Sequence, residues 1–178
     1  MNEGIGGNHM LTDGLGPNVL ARFDRDVLAQ SGVATLVLLE GVNDFGGLAR
    51  SAHPVTSTQR DWMLHLLEAS YQQVVARAHA HGIRVIGCTI TPYVGSDDYH
   101  PSPADEEFRV AVNKWIRTPG NFDAVVDLDR LTADPKAPDH LLPAYDSGDH
   151  LHPSPEGYRG IAHAVLPVVL ARPGAAHH

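Results

Sequence analysis

The segment Asp146-Ser147-Gly148-Asp149-His150-Leu151-His152-Pro153 carries the densest chemistry in the sequence. An aspartate three residues ahead of a histidine on one turn can accept a hydrogen bond from the imidazole. That bond selects one tautomer and stabilises the imidazolium formed when the ring takes a proton. Asp149 and His152 therefore read as an acid–base pair with His152 as general base. The alternative is a turn-capping aspartate beside a solvated histidine. A second candidate is Gly41-Val42-Asn43-Asp44. An Asn amide there can donate to a developing oxyanion, a contact worth about 3 kcal/mol in a transition state, or it can be a helix-cap or turn Asn. The third is Gly4-Ile5-Gly6-Gly7-Asn8, whose backbone N–H groups no side chain screens. Gly7 is there a second oxyanion donor, or the run is a plain glycine turn.

These residues need a scaffold, and the hydrophobic pattern supplies one. Three apolar runs, 34–39, 83–88 and 122–127, read as strands, and near-continuous apolar strands suit a parallel sheet covered on both faces. Between them lie helical patterns: Pro17 to Gln30, Thr58 to His81 with Gly82 placed to end it, and Ala104 to Thr118. Ser154 reads as the N-cap of a last helix, with Pro155 in its first turn. The alternation predicts an α/β fold with right-handed crossovers. In such sheets ligands bind beyond the carboxyl ends of the strands. Gly41–Asp44 follows the first strand, Thr89–Tyr93 the second, and a long loop leads from the third to Asp149. Tyr93, Tyr99 and Tyr145 are candidate walls of that cleft, although aromatic loop residues more often simply pack.

Length and composition set outer bounds. The 178 residues suit one domain over 1–178 with a tail from 173, and 43% hydrophobic and 19% charged residues are ordinary for a globular chain. The net charge of −8 argues against nucleic acid or an anionic membrane as partner. One cysteine, Cys88, excludes an internal disulfide. No apolar run reaches the roughly 20 residues that span a bilayer. Met1 to Gly7 lacks the basic and hydrophobic regions of a signal peptide, and localisation stays open. The closing His177-His178 has the form of a tag remnant and carries no functional weight.

In this order the three blocks resemble the SGNH (GDSL-type) esterase and acylhydrolase family. The likeness runs from Asn2-Glu3-Gly4-Ile5-Gly6-Gly7-Asn8 through Leu39-Glu40-Gly41-Val42-Asn43-Asp44 to Tyr145–Pro153 with Glu156-Gly157-Tyr158. The resemblance implies a flavodoxin-like three-layer α/β/α sandwich and hydrolysis of small acyl esters without a metal cofactor. It further implies Gly7 N–H and Asn43 as oxyanion-hole donors, His152 as base and Asp149 as its orienting carboxylate. The family's nucleophilic serine lies in a Gly-Asp-Ser motif after its first strand. The sequence contains no Gly-Asp-Ser and no G-x-S-x-G elbow. The expectation is a chain incomplete at its N-terminus, lacking the first strand. Ser147, the serine nearest the pair in sequence, is the candidate substitute nucleophile, against the more common reading of a turn serine bonded to backbone.

Two consequences follow for function. Without the absent strand, the 34–39 strand has an unpaired apolar edge, which predicts a homodimer or higher oligomer that covers it. Esterase activity is then weak or dependent on assembly. Two other readings compete: metal-dependent hydrolysis by Asp149, His150 and His152 with a remote ligand among His9, His53 and His100, and a non-catalytic degenerate family member.

Overall fold

The computed structural model describes residues 1–49 and 55–171. Its centre is the second apolar run. Strand β2 (Arg84–Cys88) pairs in parallel with β1 (Thr35–Leu38) on one side and β3 (Ala124–Val126) on the other, giving the order β1-β2-β3. Thr35 registers with Arg84, and Ile86 with Ala124. Because successive side chains alternate across a sheet, β2 feeds two layers. Val85 joins Leu67, Tyr71, Val74, Phe108, Val112 and Ile116, which come from helices α3 (Ser57–His79) and α4 (Pro103–Ile116). Ile86 and Cys88 meet Ile161, Val165 and Val168 of α6 (Pro155–Leu170) on the opposite face. Helices thus cover a parallel sheet on both sides, the α/β arrangement expected from the sequence.

Local signals account for most helix starts. Thr56 and Gln59 form a reciprocal capping box at α3, and Ser102 with Asp105 forms another at α4. Ser154 Oγ accepts from Gly157 N at 3.2 Å, so Ser154 is the N-cap of α6 and Pro155 lies in the first turn.

Two expectations need correction. The helix expected over Pro17–Gln30 is a five-residue α1 (Val19–Phe23) that widens into a π-helical turn over Asp24–Leu28. Side-chain periodicity reports the buried face, not which carbonyl each amide takes. Asn43 lies in the first turn of α2 (Val42–Ala49). The route from β3 to Asp149 is structured too. It holds α5 (Leu128–Thr132) and an antiparallel pair, β4 (Ala133–Asp134) with β5 (Ala137–Leu141). Among the described residues no helix is long and apolar enough to cross a membrane.

Candidate active site

The histidine loop is closed at its base by backbone bonds. Ser147 N donates to His152 C=O at 3.0 Å, Ser154 N donates to Tyr145 C=O at 2.7 Å, and Asp146 bridges Pro153. Inside this frame Asp149 is heavily engaged. Its Oδ1 accepts from His152 N (2.8 Å), Leu151 N (3.0 Å) and Ser147 Oγ (2.9 Å), and its Oδ2 lies 2.7 Å from His152 Nδ1. Partial burial works to raise the carboxyl's affinity for a proton. The His152 amide, its imidazole and the other donors outweigh burial and hold the group well below the usual carboxylate range. An ionised carboxylate only accepts, so the proton sits on Nδ1 and Nε2 carries a lone pair. The His152 side chain is 59% exposed, open to a substrate.

A second pair, missed in the sequence, interleaves with the first. Asp146 Oδ1 accepts from Gly148 N and His150 N, and Oδ2 meets His150 Nδ1 at 2.6 Å. His150 reaches it through a left-handed backbone, φ 59°. The Asp-x-x-x-His spacing was the available signal. This geometry disfavours the metal reading: Asp149 and Asp146 each face an imidazole nitrogen rather than a shared point. Among the described residues no group of three or more His, Cys, Asp or Glu is placed to hold a metal ion. His53 lies outside the described residues, and His9 Nδ1 is engaged by Thr12 Oγ1. Ser147 Oγ donates to the Asp149 carboxylate, not to backbone as expected and not to the His152 ring, so His152 does not activate it.

The other half of the site forms where α2 begins. Gly41 has φ 124°, and a Cβ there would lie 2.5 Å from the Tyr71 hydroxyl, so only glycine fits the entry to α2. Asn43 Nδ2 then reaches Asn8 C=O at 2.7 Å. Asp44 takes the N–H groups of Met10 and Leu11, both at 2.9 Å. Gly7 adopts φ 70° beside Leu15. The glycine block and Asn43, 35 residues apart, are therefore in contact. Arg22, another residue sequence reasoning passed over, pins the block from behind: its Nε and Nη2 donate to Asn8 Oδ1 at 3.0 and 2.7 Å. Nothing in an amphipathic helix pattern marks such an arginine as buried.

A short loop joins the halves. Asp97 N donates to Asp149 C=O at 3.2 Å, and Tyr99 OH donates to Asn43 Oδ1 at 2.6 Å. Of the candidate cleft tyrosines, Tyr93 simply packs: it is wholly buried, edge-on to Phe45 and Tyr99. Beneath the loops after β2 and β3 lies a polar network. Asn113 pairs with both backbone groups of Ile90, and Arg109 donates to Ile90 C=O, Glu106 and Asp129. Cys88 lies on the other face of the sheet, with Ile86, Val126 and Leu128, where burial pushes its thiol up to about 12, away from the thiolate a nucleophile needs.

Beside β1 runs a groove of about 690 Å³, lined by Met1–Gly4, Val19, Phe23, Val27 and residues 31–40. Glu40 closes one end. Burial pushes its carboxyl from the ordinary 4.5 up to about 7, with Arg22 opposing and Asp44 adding to the rise. Below pH 4.5 the group is protonated whether the chain is folded or not, and between 4.5 and about 7 only the unfolded chain ionises. The native state therefore loses on the order of 3 kcal/mol as pH rises through that window. Glu40→Gln should abolish this loss, read from urea midpoints of both proteins across the window.

The family model of the GDSL-like lipase/acylhydrolase family matches residues 1–159. The chain belongs to that family. Membership makes it an ester hydrolase of the GDSL class. No curated protein matches the sequence. Solved GDSL-type structures share the fold. A GDSL-like lipase from Bacteroides thetaiotaomicron superposes with TM-score 0.65 at 21% identity over 84% of this chain and 68% of its own. The acetylxylan esterase Axe2 from Geobacillus stearothermophilus gives 0.62 at 20% identity over 96% and 72%. The acetyl xylan esterase AlAXEase gives 0.64 at 25% identity over 94% and 79%.

Proposed function

We propose that the chain hydrolyses small carboxylic esters, acetyl esters foremost, with His152 as general base, Asp149 as its orienting carboxylate, and Gly7 N–H and Asn43 Nδ2 as oxyanion donors. The observation that carries this reading is the His152 Nδ1–Asp149 Oδ2 contact of 2.7 Å, which leaves Nε2 as a proton acceptor on an exposed ring. The acetyl preference draws on the acetylxylan esterases among the structural relatives. For these residues alone, which include no Gly-Asp-Ser, the nucleophile we propose is water; where the family's serine is present, it attacks instead with His152 as its base. His152 Nε2 removes the water's proton as its oxygen attacks the acyl carbon, the carbonyl oxygen takes up negative charge facing Gly7 and Asn43, and as the C–O bond breaks the imidazolium returns that proton to the leaving oxygen, releasing acid and alcohol. A nucleophile-free site of this kind still exceeds water by roughly 10³–10⁴-fold.

The test is hydrolysis of p-nitrophenyl acetate against longer acyl esters, with a fluorophosphonate probe alongside. Turnover favouring acetyl with no labelled serine supports the reading. A rate equal to buffer overturns it, and a serine mapped by the probe replaces water as the nucleophile.

The edge of β1 supports a second element, an oligomer. Among the described residues β1 pairs only with β2, and Val37 and Leu39 are 37% and 44% exposed along the groove. An apolar strand edge of this kind is a template for another chain. A dimer or larger assembly is expected in light scattering at micromolar concentration, and a monodisperse monomer contradicts it.

A further inference from the structure

An oxyanion donor carried on a side chain works only if the amide presents N–H and not C=O. The two ends of an Asn amide are nearly the same shape, and its terminal torsion is broad. In this protein the ends are told apart from two sides. Asn8 C=O accepts from Asn43 Nδ2 at 2.7 Å, a place that only a donor can fill. Tyr99 OH donates to Asn43 Oδ1 at 2.6 Å. We propose that Tyr99 is a positioning residue for the Asn43 oxyanion donor, fixing the amide so that its second N–H faces the substrate carbonyl. The proposal rests on the reading of Asn43 given above. The same bond draws electron density toward Oδ1 and makes the remaining N–H a stronger donor.

Tyr99 is itself held in place. Its backbone N donates to Ser96 Oγ at 3.2 Å, its ring meets Tyr93 edge-on at 6.3 Å, and it is 7% exposed. Gly46 of α2 leaves the room it needs, since a Cβ at that position would stand 2.8 Å from the ring. Two residues earlier in the same loop, Asp97 N holds the carbonyl of Asp149. The span from Asp97 to Tyr99 thus sets the oxyanion side against the base side.

The test compares wild type, Tyr99→Phe, Asn43→Ala and the double variant. p-Nitrophenyl acetate turnover is measured together with the Asn43 side-chain amide signals in proton–nitrogen spectra, assigned by their loss in Asn43→Ala. Phenylalanine keeps the ring in its seat and removes only the hydroxyl. Tyr99→Phe should lower kcat several-fold with KM unchanged, less than the roughly 100-fold expected on removing the donor itself. It should have no further effect in the Asn43→Ala background, and it should move the Asn43 amide signals. Gly46→Ala, which keeps the hydroxyl but displaces the ring, should give the same signature. Equal losses in both backgrounds make Tyr99 a general structural residue and overturn the proposal, as do unmoved amide signals. If Asn43→Ala retains full turnover, the oxyanion assignment itself falls and takes the role of Tyr99 with it. That result is distinct from failure of the Tyr99 arm alone.

Discussion

Asp149→Asn is expected to silence ester hydrolysis as fully as His152→Ala, each lowering kcat/KM for p-nitrophenyl acetate about 100-fold or more. The histidine change removes the proton acceptor outright. The aspartate change acts through a constraint visible in the loop. Oδ1 of Asp149 accepts from two backbone N–H groups and from Ser147, so an asparagine must place its carbonyl oxygen there. Its NH₂ group then faces His152 Nδ1, where a proton already sits. The imidazole resolves the clash by moving its proton to Nε2, and a protonated Nε2 accepts nothing. Ser147→Ala removes one of Asp149's bonds without disturbing the tautomer, so its turnover should stay close to wild type. His150→Ala is the matching control, because its ring answers to Asp146. If Asp149→Asn remains active while His152→Ala is dead, Asp149 does not orient the base.

The largest loss of stability is expected at a residue outside this loop. Arg109 is 2% exposed, and its guanidinium takes both oxygens of Glu106 at 2.7 Å, Asp129 Oδ1 at 2.6 Å and Ile90 C=O at 2.8 Å. Arg109→Met fills much of the same volume but leaves the carboxylates facing one another with fewer donors. Removing one partner of a buried ionic group costs about 3–5 kcal/mol. A fall of that size should appear in the urea midpoint at unchanged slope. Adding Glu106→Gln and Asp129→Asn to the variant should recover a substantial part of it. Loss restricted to the single variant shows that the cost lies in the stranded charges and not in the missing side chain.

What the sequence made legible follows from how each feature is encoded. The three strands, the capped helices α3, α4 and α6, and the Asp149–His152 pair depend on neighbours a few residues away. Periodicity and short motifs report such neighbours. The β4–β5 pair escaped because Ala133–Asp134 and Ala137–Leu141 carry Pro138, Asp139 and His140 in place of an alternating apolar pattern. Arg109 and Asn113 escaped because a charged or amide residue on a helix looks the same whether it meets water or a buried carbonyl. Tyr99 and Asn43 are 56 positions apart, and only the folded chain shows that they touch. The same holds for Arg22 against Asn8. Glu40 reads as an ordinary strand-end acid until the depth of its surroundings is known.

The bonds from Asp44 to Met10 and Leu11 have a consequence for the order of assembly. They close a loop of 34 and 33 residues with two backbone donors and one carboxylate, next to the bond between Asn43 and Asn8 that brings the glycine block to α2. Contacts across such separations form late relative to helix growth, because the chain entropy of closing the loop comes before the reward. A refolding chain will thus regain its helical signal first and its hydrolytic activity afterwards. The lag between the two is a clock for the docking of the N-terminal segment.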